Sequence, residues 1–182
     1  KAYLPNYGLF DERRFFAPGE RVAALDSRLG LRLGISICED FWHLAVPLLL
    51  ALDGAQLLVN ISSSPGRDVA AVVEGGLGTA DAWRPLLKSY AMLTTSPVVY
   101  VNRVGVEESI TFWGGSEVID AAGRSVFRAP LHDEGLYVVD IELDDTRRQR
   151  VAQPLLRDER PELVAGQIER IIRGRAGIPE PE

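Results

Sequence analysis

An α/β fold with a mixed sheet is what this sequence predicts, and three observations carry the expectation. Leu31, Leu33, Ile35 and Ile37 alternate with Arg32, Gly34 and Ser36, the period of a strand. Residues 56–61 and 98–101 are short apolar runs containing β-branched side chains, the composition of buried strands. Helix-like segments separate these runs, and short strand-like segments follow them, an order that gives helices packed on a mixed sheet.

The elements follow in chain order. Residues 1–20 read as irregular, punctuated by Pro5, Gly8, Pro18 and Gly19, with a turn at Asn6-Tyr7-Gly8. A short strand is expected at 22–25, a turn at 27–30 and the alternating strand at 31–37, ending at Cys38. Residues 38–43 form a tight connection. A helix then begins at 44–46, tolerates Pro47 in its first turn and stops before Gly54. After the strand at 56–61 come a loop at 62–67 and a partly helical, mobile stretch at 68–80. A helix over 81–94 puts Trp83, Leu86, Leu87, Tyr90 and Leu93 on one apolar face. The strand at 98–101 precedes a hairpin, with arms 111–120 and 125–128 around the turn Ala121-Ala122-Gly123. A final strand is expected at 136–143 and a short helix at 161–173, within a polar, arginine-rich end. No internal repeat is visible.

Composition narrows the function classes. The 182 residues suit one domain with a real core, and 46% hydrophobic with 25% charged residues is ordinary for a globular protein. A net charge of -6 argues against a general nucleic-acid binder. The longest apolar run, 45–52, is too short to span a bilayer. No secretion signal opens the chain, so a cytoplasmic location is expected. The single cysteine rules out an internal disulfide and fits a reducing compartment. The first residue is Lys rather than Met, so upstream sequence is expected to be missing and Lys1 to be frayed.

That cysteine lies where a buried strand meets a sharp turn into a helix, a place that suits a nucleophile. A nearby helix dipole and cations are expected to lower its pKa. A lone cysteine is more often a small buried hydrophobe. His43 and His132 are the bases to test against it, and both fit structural or solvated roles better. No carboxylates cluster with histidine at metal-ligand spacing. Gly75-Gly76-Leu77-Gly78 lacks the Lys-Ser/Thr ending and the preceding strand of a phosphate loop. Arg67 has the chemistry to pair with a substrate carboxylate, although an arginine there fits plain surface better.

The segment Gly34-Ile35-Ser36-Ile37-Cys38-Glu39-Asp40-Phe41-Trp42 resembles the nucleophile motif of the nitrilase (carbon-nitrogen hydrolase) superfamily, in the Cys-Glu-Asp-x-Trp form of the glutaminase domains of glutamine-dependent NAD synthetases. Four further segments resemble family landmarks in order: Lys1 to Tyr7 with Phe10 to Phe15, Leu57 to Pro65, Val101 to Gly105, and Phe112 to Ser116. The resemblance implies a four-layer α-β-β-α sandwich, here lacking its N-terminal portion, usually paired as a dimer. Residues 1–143 would be the C-terminal part of the hydrolase domain, and 144–182 a polar extension and possible dimer arm. It implies a Glu-Lys-Cys triad: Cys38 attacks an amide or nitrile carbon, Lys1 stabilises the tetrahedral intermediate, and the Glu39 N–H is a second oxyanion donor. Ammonia leaves and water hydrolyses the thioester. The general-base glutamate would lie upstream of Lys1, so the 182 residues alone are expected to be inactive. Glu12 matches a supporting glutamate of the lysine segment. Tyr7, Glu39 and Ser64 match positions that touch the substrate. The partners implied are a small-molecule amide and a second copy of the chain, with no nucleic acid, membrane, metal or cofactor. A stand-alone amidase leads, ahead of a glutaminase supplying ammonia to a synthetase and a non-catalytic subunit.

Overall fold

The computed structural model describes residues 1–66 and 78–176. Its centre is a six-stranded sheet in the order β1-β2-β3-β4-β7-β8. The strands are β1 (Leu25–Asp26), β2 (Arg32–Ile37), β3 (Leu57–Ser62), β4 (Val98–Asn102), β7 (Glu117–Ile119) and β8 (Ser125–Arg128). β2, β3 and β4 run parallel, and the others add antiparallel. The helix α1 (Ala45–Leu52) carries the chain from β2 to β3, and α2 (Gly78–Leu93) precedes β4. Both are crossovers of the kind parallel strands require.

Strand register decides where the chemistry sits. Gly34, Leu58, Val98 and Ile119 form one cross-strand row, and Ser36, Asn60, Tyr100 and Glu117 form the next. Both rows are buried beneath α1 and α2, whose Val46, Leu50, Trp83, Leu87 and Tyr90 complete the core. Gly34 is required here. A Cβ on it would come within 2.7 Å of the Leu58 side chain and 3.0 Å of Leu50. The apolar residues of β2 point the other way. The alternation is as expected, but the covered side carries Gly34 and Ser36, while Ile35 and Ile37 are exposed. Close approach of α1 selects small residues on the covered side.

Other expectations need correcting. The strand at 22–25 is reduced to the two residues of β1. The arm 111–120 is two strands. The first, β6 (Ile110–Trp113), pairs with β5 (Val104–Glu107) in a separate ribbon that the sequence reading did not contain. Gly114 and Gly115, at φ 69 and 62, turn the chain back into the sheet as β7. No strand forms at 136–143. Leu136 and Val138 are 94% and 90% exposed, with no face to bury against, and Leu143 instead opens α3 (Leu143–Ala152). That helix was not foreseen because it is polar all round. Arg150 fastens it to the body, donating to the Thr95 and Ala55 carbonyls and to Ser96 Oγ. α4 (Leu155–Asp158) and α5 (Pro161–Arg175) follow, with no buried residue in either. The expectations for residues 67–77, including Arg67 and most of the glycine run, lie outside the described residues. No helix among the described residues is long and apolar enough to cross a membrane.

Candidate active site

Cys38 ends β2 and opens a five-residue 3-10 turn, Cys38–Trp42. Its φ of 47 lies in the left-handed region, where a non-glycine residue costs about 1–2 kcal/mol. Such strain persists only where the surroundings hold it. Asp40, two residues on, supplies part of that hold. Its buried carboxylate takes the Ala2 and Tyr3 amides on Oδ1, both at 2.9 Å, and the Ile37 amide on Oδ2 at 3.1 Å. One side chain thus ties the end of β2 to the backbone just after Lys1.

Lys1 is not frayed. Its carbonyl accepts the Gly19 amide at 2.7 Å, and its side chain is 12% exposed. Nζ lies 2.6 and 2.5 Å from the two oxygens of Glu12, which sits in the short 3-10 turn Glu12–Arg14. The residues matched as catalytic lysine and supporting glutamate are therefore in contact.

The thiol does not follow the expected direction. Burial, the largest cause, pushes the Cys38 pKa up. The Ser62 hydroxyl and the Lys1 charge favour the thiolate, while Glu39 and Glu12 oppose it. The turn behind the sulfur is too short for a strong dipole, and Lys1, the cation named, is already paired. Burial thus favours the protonated thiol.

Cys38 lines a cavity of about 250 Å³ with Tyr7, Glu39, Trp42, Ser64 and Trp83. The Tyr7 hydroxyl donates to Glu39 Oε2 at 2.7 Å, so the two form one unit of the wall. Ser64 accepts from Trp83 Nε1 at 3.0 Å, and its own amide donates to Asn102 Oδ1. All the residues expected at the site thus gather around one cavity and its Lys1–Glu12 flank. The histidines do not. His43 stacks on Tyr3 with ring centroids 3.5 Å apart and stands 3.8 Å from Glu39, and His132 bonds through its backbone to Trp113. Asp40, Trp42, Trp83 and the buried Asn60 were missed. Polar Asn60 and Ser62 inside an otherwise apolar strand were the available signal. Among the described residues no group of three or more His, Cys, Asp or Glu is arranged to hold a metal. A larger cavity of about 410 Å³ between the β7–β8 hairpin and α3 is lined by Asp120, Arg124 and Glu142, and Cys38 is not part of its lining.

The carbon-nitrogen hydrolase family model matches residues 2–151. The chain belongs to this family. Among curated relatives it is 34% identical over 157 residues to the glutamine-dependent NAD(+) synthetase of Thermotoga maritima, covering 85% of this chain and 25% of the relative. It is 29% identical over 174 residues to the N-carbamoylputrescine amidase of Solanum lycopersicum, covering 90% and 56%. A carbon-nitrogen hydrolase from Helicobacter pylori G27 superposes with a TM-score of 0.83 at 28% identity, over 92% of this chain and 59% of that one. An amidase from Nesterenkonia sp. AN1, carrying the acetamide moiety of fluoroacetamide on its active-site cysteine, superposes with a TM-score of 0.70 at 27% identity, over 91% and 54%. This carbon-nitrogen hydrolase chain thus spans about a quarter of the synthetase relatives and about half of the amidase relatives. Its mixed sheet flanked by helices is that of its nitrilase-superfamily neighbours.

Proposed function

We propose that the chain carries the nucleophile-bearing part of a thiol hydrolase that converts an amide to an acid and ammonia through a thioester on Cys38. The supporting observation is the arrangement around Asp40: it joins the strained Cys38 turn to the Lys1 segment, and Lys1 meets Glu12, beside a cavity of substrate size. In this reading Cys38 loses its proton to a base and its sulfur attacks the amide carbon. Lys1 and the Glu39 N–H stabilise the oxyanion, and the nitrogen leaves as ammonia carrying the transferred proton. Water then cleaves the thioester and restores the thiol. Glu12, occupied by Lys1, is assigned the supporting role. The base is assigned to a glutamate ahead of Lys1, so the proposal expects turnover from the longer protein and none from these 182 residues alone. No cofactor is required. A cytoplasmic location and a homo-oligomeric state, with 144–182 as a possible dimer arm, belong to the same proposal.

Glu39 and Tyr7 favour one substrate class. A carboxylate held by a phenol on the cavity wall suits the ammonium group of a glutamine-like amide. With the 34% identity to an NAD synthetase, this keeps a glutaminase supplying ammonia to a synthetase as the second reading, beside a stand-alone amidase. The test is ammonia release from glutamine and a panel of amides by the full-length protein and its Cys38→Ala variant. Loss of release in the variant is expected. Release that survives the substitution would overturn the proposal, and the best substrate separates the two readings.

A further inference from the structure

β2 ends at Ile37, which pairs with Ile61, and Cys38 follows it as the first residue of the 3-10 turn. β3 and β4 carry the covered face one row further with the pair Ser62 and Asn102, and the Ser62 hydroxyl bears on the Cys38 thiol. Ser62 is 5% exposed and Tyr100, one row below, is 1% exposed. Neither hydroxyl oxygen has an aligned hydrogen-bond partner among the described residues. The nearby serines differ: Ser36 accepts from Asn60 Nδ2, Ser64 from Trp83, and Ser116 from the Asn102 amide. A buried hydroxyl left unpaired is costly, and it calls for a partner that the resting state does not supply.

We propose that Ser62 is a positioning residue for the nucleophile, donating a hydrogen bond to the Cys38 sulfur once it has lost its proton, with the Tyr100 hydroxyl donating to Ser62 from behind. The inference rests on Cys38 being the nucleophile. A neutral thiol is a weak acceptor, whereas a thiolate is an anion that strengthens the bond it accepts. The partner therefore appears only when the reaction begins. Ser62 keeps its own proton throughout; the thiol proton goes to the base.

The surrounding charges leave room for such help. Lys1, on the opening segment, favours the thiolate; Glu39 on the turn and Glu12 on the opening segment oppose it. Burial holds the Tyr100 phenol well above its ordinary range, so it remains a donor. The Ser62 and Ser64 hydroxyls both bear on that phenol.

The experiment uses the full-length protein with Ser62→Ala, Ser62→Thr and Tyr100→Phe, and iodoacetamide as the thiol probe. Alkylation rate against pH gives the thiol titration without any substrate. Ser62→Ala is expected to raise the midpoint by about 0.5–1 unit, a ~3–10-fold lower thiolate fraction at neutral pH. The same variant is expected to lower kcat with KM unchanged. Ser62→Thr should restore both, and Tyr100→Phe should move the midpoint the same way by less. Each alanine or phenylalanine variant removes one oxygen, and circular dichroism reports whether the fold survives. A wild-type alkylation profile in Ser62→Ala overturns the proposal, whatever happens to turnover. If Ser62→Ala is unfolded, a wild-type profile in Tyr100→Phe overturns it. A shifted profile in a protein that releases no ammonia from any amide would uphold the role of Ser62 while sinking the hydrolase reading.

Discussion

The two faces of the central sheet are built on opposite plans. The face under α1 and α2 changes along the strands from an apolar row (Gly34, Leu58, Val98, Ile119) to a polar one (Ser36, Asn60, Tyr100, Glu117), and then to the pair Ser62 and Asn102 beyond the end of β2. The other face is apolar from β2 to β8, and its Ile35, Ile37, Ile61 and Val101 are 41–49% exposed. The difference teaches that apolarity alone does not mark the functional side of a sheet. Among the described residues of this part-length chain the greasier face is the open one, and the face with serines and an asparagine is the one beside Cys38.

Four measurements bear on that contrast. The largest effect should come from Leu58→Ala on the covered face, at about 2–5 kcal/mol in chemical denaturation, because the side chain is fully buried and leaves a cavity. A loss below about 1 kcal/mol would mean the covered face is loosely packed. Next is the strain at its end. Cys38→Gly should be about 1 kcal/mol more stable than Cys38→Ala, since only glycine accepts a φ of 47 freely. Equal melting temperatures would show a relaxed turn.

The third effect is smaller and depends on pH. The folded thiol holds its proton more tightly than the unfolded one. Its stabilising contribution is complete below the unfolded thiol value of about 8.5 and is lost as pH rises through the folded value. Melting temperature should therefore fall more steeply above that pH in the wild type than in Cys38→Ser, and parallel curves would contradict the raised pKa. Smallest of all, Ile61→Ser on the open face should change the stability of the 182-residue chain by no more than about 0.5 kcal/mol, as exposed sites do. A cost several times larger, growing with protein concentration, would reveal that a second copy covers this face.

The sequence made some of this legible and hid the rest for physical reasons. Strand period was plain in 31–37, but which side would be covered depended on how closely α1 approaches, and only Gly34 hinted at it. Cys38 stood out as a candidate because a strand ends there, and family resemblance rather than position made it the leading one. The pairing of Lys1 with Glu12 joins residues eleven apart in an irregular segment, where no period helps; family resemblance marked each residue separately, and the contact itself was not foreseen. Leu136 and Val138 imitated a strand that has no neighbour to pair with. α3 carries its attachment in one arginine rather than in an apolar stripe, so hydrophobic pattern could not find it.

Asp40 carries a lesson about replaceability. Its two oxygens answer three amides that come from two separate stretches of chain. Asparagine offers only one oxygen, and its NH₂ would confront an N–H; glutamate is a methylene too long for the turn; serine reaches one donor at most. No conservative exchange exists. A position with no reactive chemistry of its own is then hard to exchange, and a catalogue of reactive groups compiled by chemistry alone would pass over it.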